Sequence, residues 1–294
     1  MDKIIELITG ATACEPRSLA SFRASLMLAM KNGTMQSLED RLQKQSEIKA
    51  VAYSLVPGQA YINTVDEYDI LDPHLPENSV AVLYYEGMAL PWKSYNMENR
   101  IAMCNANPRI VAILIFINTP GGYIHRIDTL SQAITASVKP TAGYVTGLCC
   151  SAGQWISSAC KRVFTASDMD IHGSIGTMST FMDDRKFWEE MGIAWTDIYA
   201  TLSTKKNYVS REAESGNFEP LIAELDYLTN LFHKAISVNR NITLAPESAP
   251  FDGSDFFTET ALSLKLVDQK GSLDEALNYL LVEGLKIKTR TKNN

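Results

Sequence analysis

The chain has 294 residues, 46% hydrophobic and 9% aromatic, enough for one large buried core or a core with a small satellite. Its formal charge of -7 and pI near 5.2 weigh against duplex nucleic acid or an anionic membrane as main partner, because both attract basic surfaces. Five cysteines lack metal-ligand spacing, and adjacent Cys149 and Cys150 would make a poor disulfide, so a reducing compartment and no metal site are expected.

The first thirty residues carry Asp2, Glu6, Glu15 and Arg23, and the apolar run LMLAM is too short to cross a bilayer. No signal peptide or membrane contact is expected, and the placement is cytoplasmic. Residues 1–66 read as a mainly helical extension, broken at Gly33 and resumed at SLEDRLQKQ, where Ser37 and Asp40 suit a capped start. DEYDILDPHLPENS reads as a linker. From Val80 the pattern alternates: VAVLYYEG a strand, ENRIAMCNA a helix, and RIVAILIFIN a long buried strand rich in β-branched residues. A Pro-Gly-Gly turn precedes the amphipathic helix YIHRIDTLSQAITAS. A strand near TAGYV, the helix SAGQWISSACK and a short strand at RVFTA follow. A helix from Phe218 to Asn239 and two more, in ETALSLKLVD and SLDEALNYLLVEG, close a domain spanning 67–282. Residues 283–294, with KIKTRTKNN, read as a frayed basic tail. Such alternation predicts parallel strands joined by helical crossovers, an α/β fold.

Two stretches carry chemistry. In TGLCCSAGQW, Ser151 falls where a strand turns into a helix, whose free N–H groups and positive dipole end favour negative charge. Its small neighbours would let a peptide backbone approach, and the Ala152 N–H could point at a developing oxyanion. A serine there also suits simple capping. In INTPGGYIH, Gly121 and Gly122 leave backbone N–H groups uncovered at a strand end, a second set of oxyanion or substrate-binding donors, without the spacing of a nucleotide loop.

NTPGG, CCSAGQ and HGSIG, in this order and spacing, together with FDGSDFFTETALSLKLVD, resemble the signal peptide peptidase or protease IV family of serine/lysine peptidases. The resemblance runs from about Val80 to Leu281. It implies the Clp protease and crotonase fold, a spiral of strand-strand-helix units, and a peptidase with Ser151 as nucleophile, a downstream lysine as base, and oxyanion N–H groups from Gly121, Gly122 and Ala152. The segment matching the base reads TLSTKKN; Lys206 is favoured, with Lys205 as the alternate. Ser174 in HGSIG is the plausible orienting group. No cofactor is implied. The family's Ser-Gly-Gly is Ser151-Ala152-Gly153 here, and Lys265 stands where it usually has glycine. Without an anchor, the chain looks like the head-maturation proteases of phages and prophages, which cut capsid and scaffold proteins. The fold implies a homo-oligomer, and the substrate an extended peptide laid along strand edges.

A lysine base needs its pKa brought from about 10.4 towards 7, on the order of 4 kcal/mol of desolvation. His172, 21 positions after Ser151 and near Asp168, Asp170 and Asp183, offers a Ser/His/Asp triad instead. His74, His125 and His233 read as structural or exposed. A crotonase-like hydratase lacks a suitable Glu after the glycine turns, whereas a catalytically inactive structural head component of the same fold is an alternative.

Overall fold

A computed structural model describes residues 12–14, 28–29, 31–37, 40, 48–55, 67–181, 185–190, 192 and 196–292. The elements are β1 (Thr12–Cys14), β2 (Ala50–Tyr53), β3 (Glu67–Asp69), β4 (Ser79–Glu86), α1 (Pro91–Ala106), β5 (Ile110–Thr119) and β6 (Gly121–Tyr123). They continue with α2 (Ile127–Thr135), β7 (Thr141–Cys150), α3 (Ala152–Ser158), β8 (Arg162–Thr165), β9 (Ile171–Gly173), α4 (Arg185–Glu190) and α5 (Tyr208–Glu214). The last are α6 (Glu219–Arg240), β10 (Asp255–Phe257), α7 (Thr258–Ser263), β11 (Gln269–Lys270) and α8 (Leu273–Lys292).

The α/β class is as expected. β4, β5 and β7 are parallel neighbours at the centre of the main sheet, whose order is β10-β9-β7-β5-β4-β2-β3, with β8 and β11 branching from β7. Strand alternation builds two cores. Ala81, Leu83, Ile113, Ile115 and Ile117 face Met97 and Ile101 of α1, Leu130 of α2, Trp155 of α3 and Phe232 of α6. Val80, Val82, Ala112 and Leu114 face Ala276, Leu277, Leu280 and Leu281 of α8. Burial on both faces explains the continuous apolar runs of β4 and β5.

Three expectations need correction. Most of the helical extension expected over 1–66 lies outside the described residues, but Ala50–Tyr53 within it is a strand, antiparallel to β4. Glu67–Asp69, expected in a linker, pairs with β2. Short edge strands carry too few residues for a periodic signal. Residues 283–292, expected as a tail, continue α8: Gly284 lies so close to Val111 that an added Cβ would meet its carbonyl oxygen at 2.5 Å. Lys288 is held there by Glu77 at 3.0 Å and Asn78 at 2.8 Å.

β7 is the element that positions the site. Its first half pairs with β8 (Ala142–Val145) and its second half with β9 (Leu148–Cys150). Between them Gly147 has φ 90°, its N–H held at 2.7 Å by Asp170 Oδ1, while Asn118 Oδ1 accepts the Leu148 N–H at 3.2 Å. The bend moves β7 from pairing with β8 to pairing with β9 and delivers Ser151 to the start of α3.

Candidate active site

Ser151 sits between β7 and α3 with φ 53° and ψ -116°, a conformation an L-residue adopts only under constraint. The constraint is visible: its N–H donates to Gly173 O at 2.8 Å, and its C=O accepts from Trp155 N at 3.1 Å. The side chain is 1% exposed, and Oγ is buried without a hydrogen-bond partner. The hydroxyl does not cap α3, so the capping role is not what this serine serves. Ala152, at the first helical position, has no acceptor for its N–H within the helix. Gly153 has no room for more: an added Cβ would lie 2.5 Å from Thr119 Cγ2.

Ser151 and Ser174 line one cavity of about 640 Å³, with Ile175, Gly176, His233, Phe251 and three carboxylates, Asp226, Asp252 and Asp255. Ser174 is also left-handed, at φ 53°, and its N–H donates to Ser254 O at 2.8 Å. His233, read from the sequence as structural or exposed, is buried in this wall. Its Nε2 lies 3.3 Å from Ile175 O while Nδ1 is buried without a partner, and burial pushes its pKa down. The signal missed was its position on the face of α6 that carries Phe232 and Ile236, both fully buried.

β6 packs against α3. Gly121 has φ 94° and donates its N–H to Thr119 Oγ1 at 3.2 Å. Gly122 has φ 153°, and a Cβ on it would lie 2.3 Å from Ala89 O, so only glycine fits. Ala89 brackets this strand by donating to Gly121 O and accepting from Tyr123 N, both at 2.8 Å. An unusual group lies at the end of β4: Lys93 is fully buried, its Nζ donates to Glu86 O and sits 4.7 Å from the Tyr85 ring centre, and burial pushes its pKa down to about 8. Lys93 recurs with Met97, Ile101 and Cys104 on the buried face of α1, a spacing visible in the sequence but overlooked there.

The lysines are placed elsewhere. Lys205 and Lys206 are exposed in the turn before α5, outside the lining of the Ser151 cavity, with Lys205 Nζ 3.9 Å from the Tyr208 ring centre. The chain by itself therefore brings Ser151 and Ser174 into one cavity, with β6 packed against the helix that Ala152 opens, and leaves both lysines apart. His172 is fully buried on β9, but its Nε2 is 3.2 Å from Thr165 Oγ1, which donates to Asp170 Oδ2 at 2.6 Å. Ser151 Oγ makes no hydrogen bond to it, so the triad is not assembled. Desolvation pushes His172 down to about 4. Lys265 has φ 62°, the left-handed conformation that the glycine expected there would supply. Among the described residues no group of His, Cys, Asp and Glu could hold a metal ion, and no helix is long and apolar enough to cross a membrane.

The chain is thus an α/β protein with a serine on a strained strand-to-helix turn, its hydroxyl unpaired at a cavity wall. It belongs to Peptidase family S49, whose sequence model matches residues 133–285, more than half of the chain. Protease 4 of Haemophilus influenzae is 22% identical over 278 residues, covering 86% of this chain and 43% of that protein. Capsid assembly protease C of Escherichia phage lambda is 23% identical over 207 residues, covering 68% of this chain and 45% of that protein. The chain thus spans under half the length of either relative. Among solved structures, an enoyl-CoA hydratase from Shewanella pealeana aligns at TM-score 0.45 and 10% identity over 70% of both chains. A membrane-bound stomatin-specific protease, as a mutant with a substrate peptide, aligns at TM-score 0.44 and 15% identity, covering 67% of this chain and 76% of that one.

Proposed function

We propose that the chain is a serine endopeptidase acting through Ser151 and a lysine base. Ser151 Oγ attacks the scissile carbonyl and the base takes its proton. The N–H groups of Ala152 and Gly121 stabilise the oxyanion, while Gly122 pairs with the backbone of the bound peptide. The leaving amine receives the proton, and water then hydrolyses the acyl-enzyme. The observation that carries this reading is the buried, unpaired Ser151 Oγ on its strained turn in the cavity wall. Lys206 remains the favoured base and Lys205 the alternate. Both ride on the exposed turn before α5, so we assign their approach to the assembled or substrate-bound protein, with Ser174 orienting the ammonium. A homo-oligomer is part of this reading, and the cysteine usage is what supports a cytoplasmic place of action. The lambda relative, by its name a capsid assembly protease, suggests capsid or scaffold proteins as substrates.

A second reading is favoured by one observation: among the described residues no lysine lines the cavity. It makes the chain a catalytically inactive structural head component. Casein cleavage and self-processing by the full chain, compared with Ser151→Ala, Lys206→Ala, Lys205→Ala and His172→Ala, separate the two. Loss of at least a hundred-fold in Ser151→Ala and in one lysine variant supports the dyad. Cleavage indifferent to Ser151→Ala sinks the peptidase reading, and absence of any cleavage favours the structural one.

A further inference from the structure

We propose that the chain carries its own occupant for the peptide-binding edge: residues Thr12–Cys14 lie where an extended substrate would pair, and act as a tethered competitor. This rests on the peptidase reading only in taking β6 as the substrate-binding strand. β6 uses one edge against Ala89, through Gly121 O and Tyr123 N. Backbone groups alternate along a strand, so the N–H and C=O of Gly122 point to the opposite edge. That edge is filled by β1, antiparallel, in the register Thr12↔Tyr123, Ala13↔Gly122, Cys14↔Gly121.

The direction of the pairing is informative. Gly121 lies two residues beyond Thr119, which pairs with Cys149 of β7 and touches Gly153 of α3. The Gly121 end of β6 is therefore the Ser151 end, and Tyr123 leads away towards α2. The occupant thus places Cys14 nearest the nucleophile, with Ala13 and Thr12 receding from it. Three residues of pairing bring only a few net hydrogen bonds of about 1 kcal/mol each, so the occupant is displaceable. Tethering nonetheless gives it an effective concentration of about millimolar. It raises the concentration of free peptide needed to fill the edge without closing the edge permanently.

The test uses the full chain and Ala13→Pro, which removes the N–H opposite Gly122 and disfavours pairing. The probe is a dye-labelled synthetic peptide of residues 8–18, its binding measured with Ser151→Ala in both proteins to prevent turnover. Ala13→Pro is expected to bind the peptide at least five-fold more tightly and to exchange the Gly122 amide hydrogen at least ten-fold faster, with unchanged circular dichroism. Equal affinity in the two proteins, binding in neither, or an unchanged Gly122 exchange rate overturns the proposal. With Ser151 intact, Ser151-dependent hydrolysis of the peptide at equal rates in the two proteins overturns the occupancy and spares the peptidase reading. A gain in affinity with no hydrolysis dependent on Ser151 establishes the occupancy and sinks the peptidase reading.

Discussion

Ser151 and Lys265 are both non-glycine residues at positive φ, 53° and 62°, yet the constraint differs in purpose. At Ser151 a side chain is required for the proposed chemistry, and hydrogen bonds to Gly173 and Trp155 hold the strained turn. At Lys265 nothing described requires the lysine side chain, while its C=O accepts from Arg240 Nε at 2.8 Å and fixes the turn. Lys265→Gly should therefore stabilise the fold by about 1 kcal/mol, read as a higher urea midpoint with an unchanged slope. Lys265→Ala, which keeps the strain, should not. His172 gives the fold a pH dependence of fixed sign. Its folded pKa, about 4, lies below the unfolded value of 6.5, so on acidification the unfolded chain binds a proton that the folded one refuses. Stability is full above pH 6.5 and is lost progressively towards pH 4, by on the order of 3 kcal/mol. His172→Gln should flatten that part of a denaturation-versus-pH curve; an identical slope in the variant would show that the ring is not held neutral.

At the scale of elements, the site depends on how closely three pieces of backbone approach one another. α3 starts against Thr119, and β6 lies against Ala89, in each case across a glycine. Gly153→Ala should push Thr119 away and with it the acceptor of the Gly121 N–H. We expect hydrolysis to fall at least ten-fold for a stability loss of about 1–3 kcal/mol, as for other overpacking changes, checked by peptide turnover and thermal unfolding of the same preparation. The glycines themselves were legible: Gly-Gly after a β-branched strand and a small-residue run around Ser151 announce close approach. Their partners were not legible, because Ala89 and Thr119 meet these glycines through pairings set by the sheet. The edge strands and the end of α8 are not legible for a related reason. β2, β3 and the last turns of α8 are each held by neighbours distant in sequence, Leu83, Val51 and Val111 among them.

For the whole molecule, the proposed mechanism makes assembly part of catalysis, since neither Lys205 nor Lys206 lines the cavity within one chain. α6 supplies a surface for it: Tyr227, Leu231 and Val238 are 65%, 42% and 71% exposed, at spacings that place them along one stripe. We expect light scattering to give a multiple of 32.6 kDa, and Tyr227→Asp with Leu231→Asp to yield monomers that have lost hydrolysis together with assembly. Monomers that cleave at the normal rate would show that the base arrives within one chain.

The sequence by itself determined the α/β class, the order and type of the central elements, the family, and the two glycine-flanked stretches. Each of these is written in local periodicity and in small residues at fixed offsets. Tertiary structure alone decided that Ser151 Oγ is left unpaired in a cavity wall, that His172 turns to Thr165 and Asp170 instead, and that His233 and Lys93 are buried. It also decided that residues 12–14 lie along the Gly121–Tyr123 edge. These facts depend on which segments the sheet order brings side by side, and that order is fixed by the simultaneous burial of both faces of β4, β5 and β7, which no single stretch of sequence encodes.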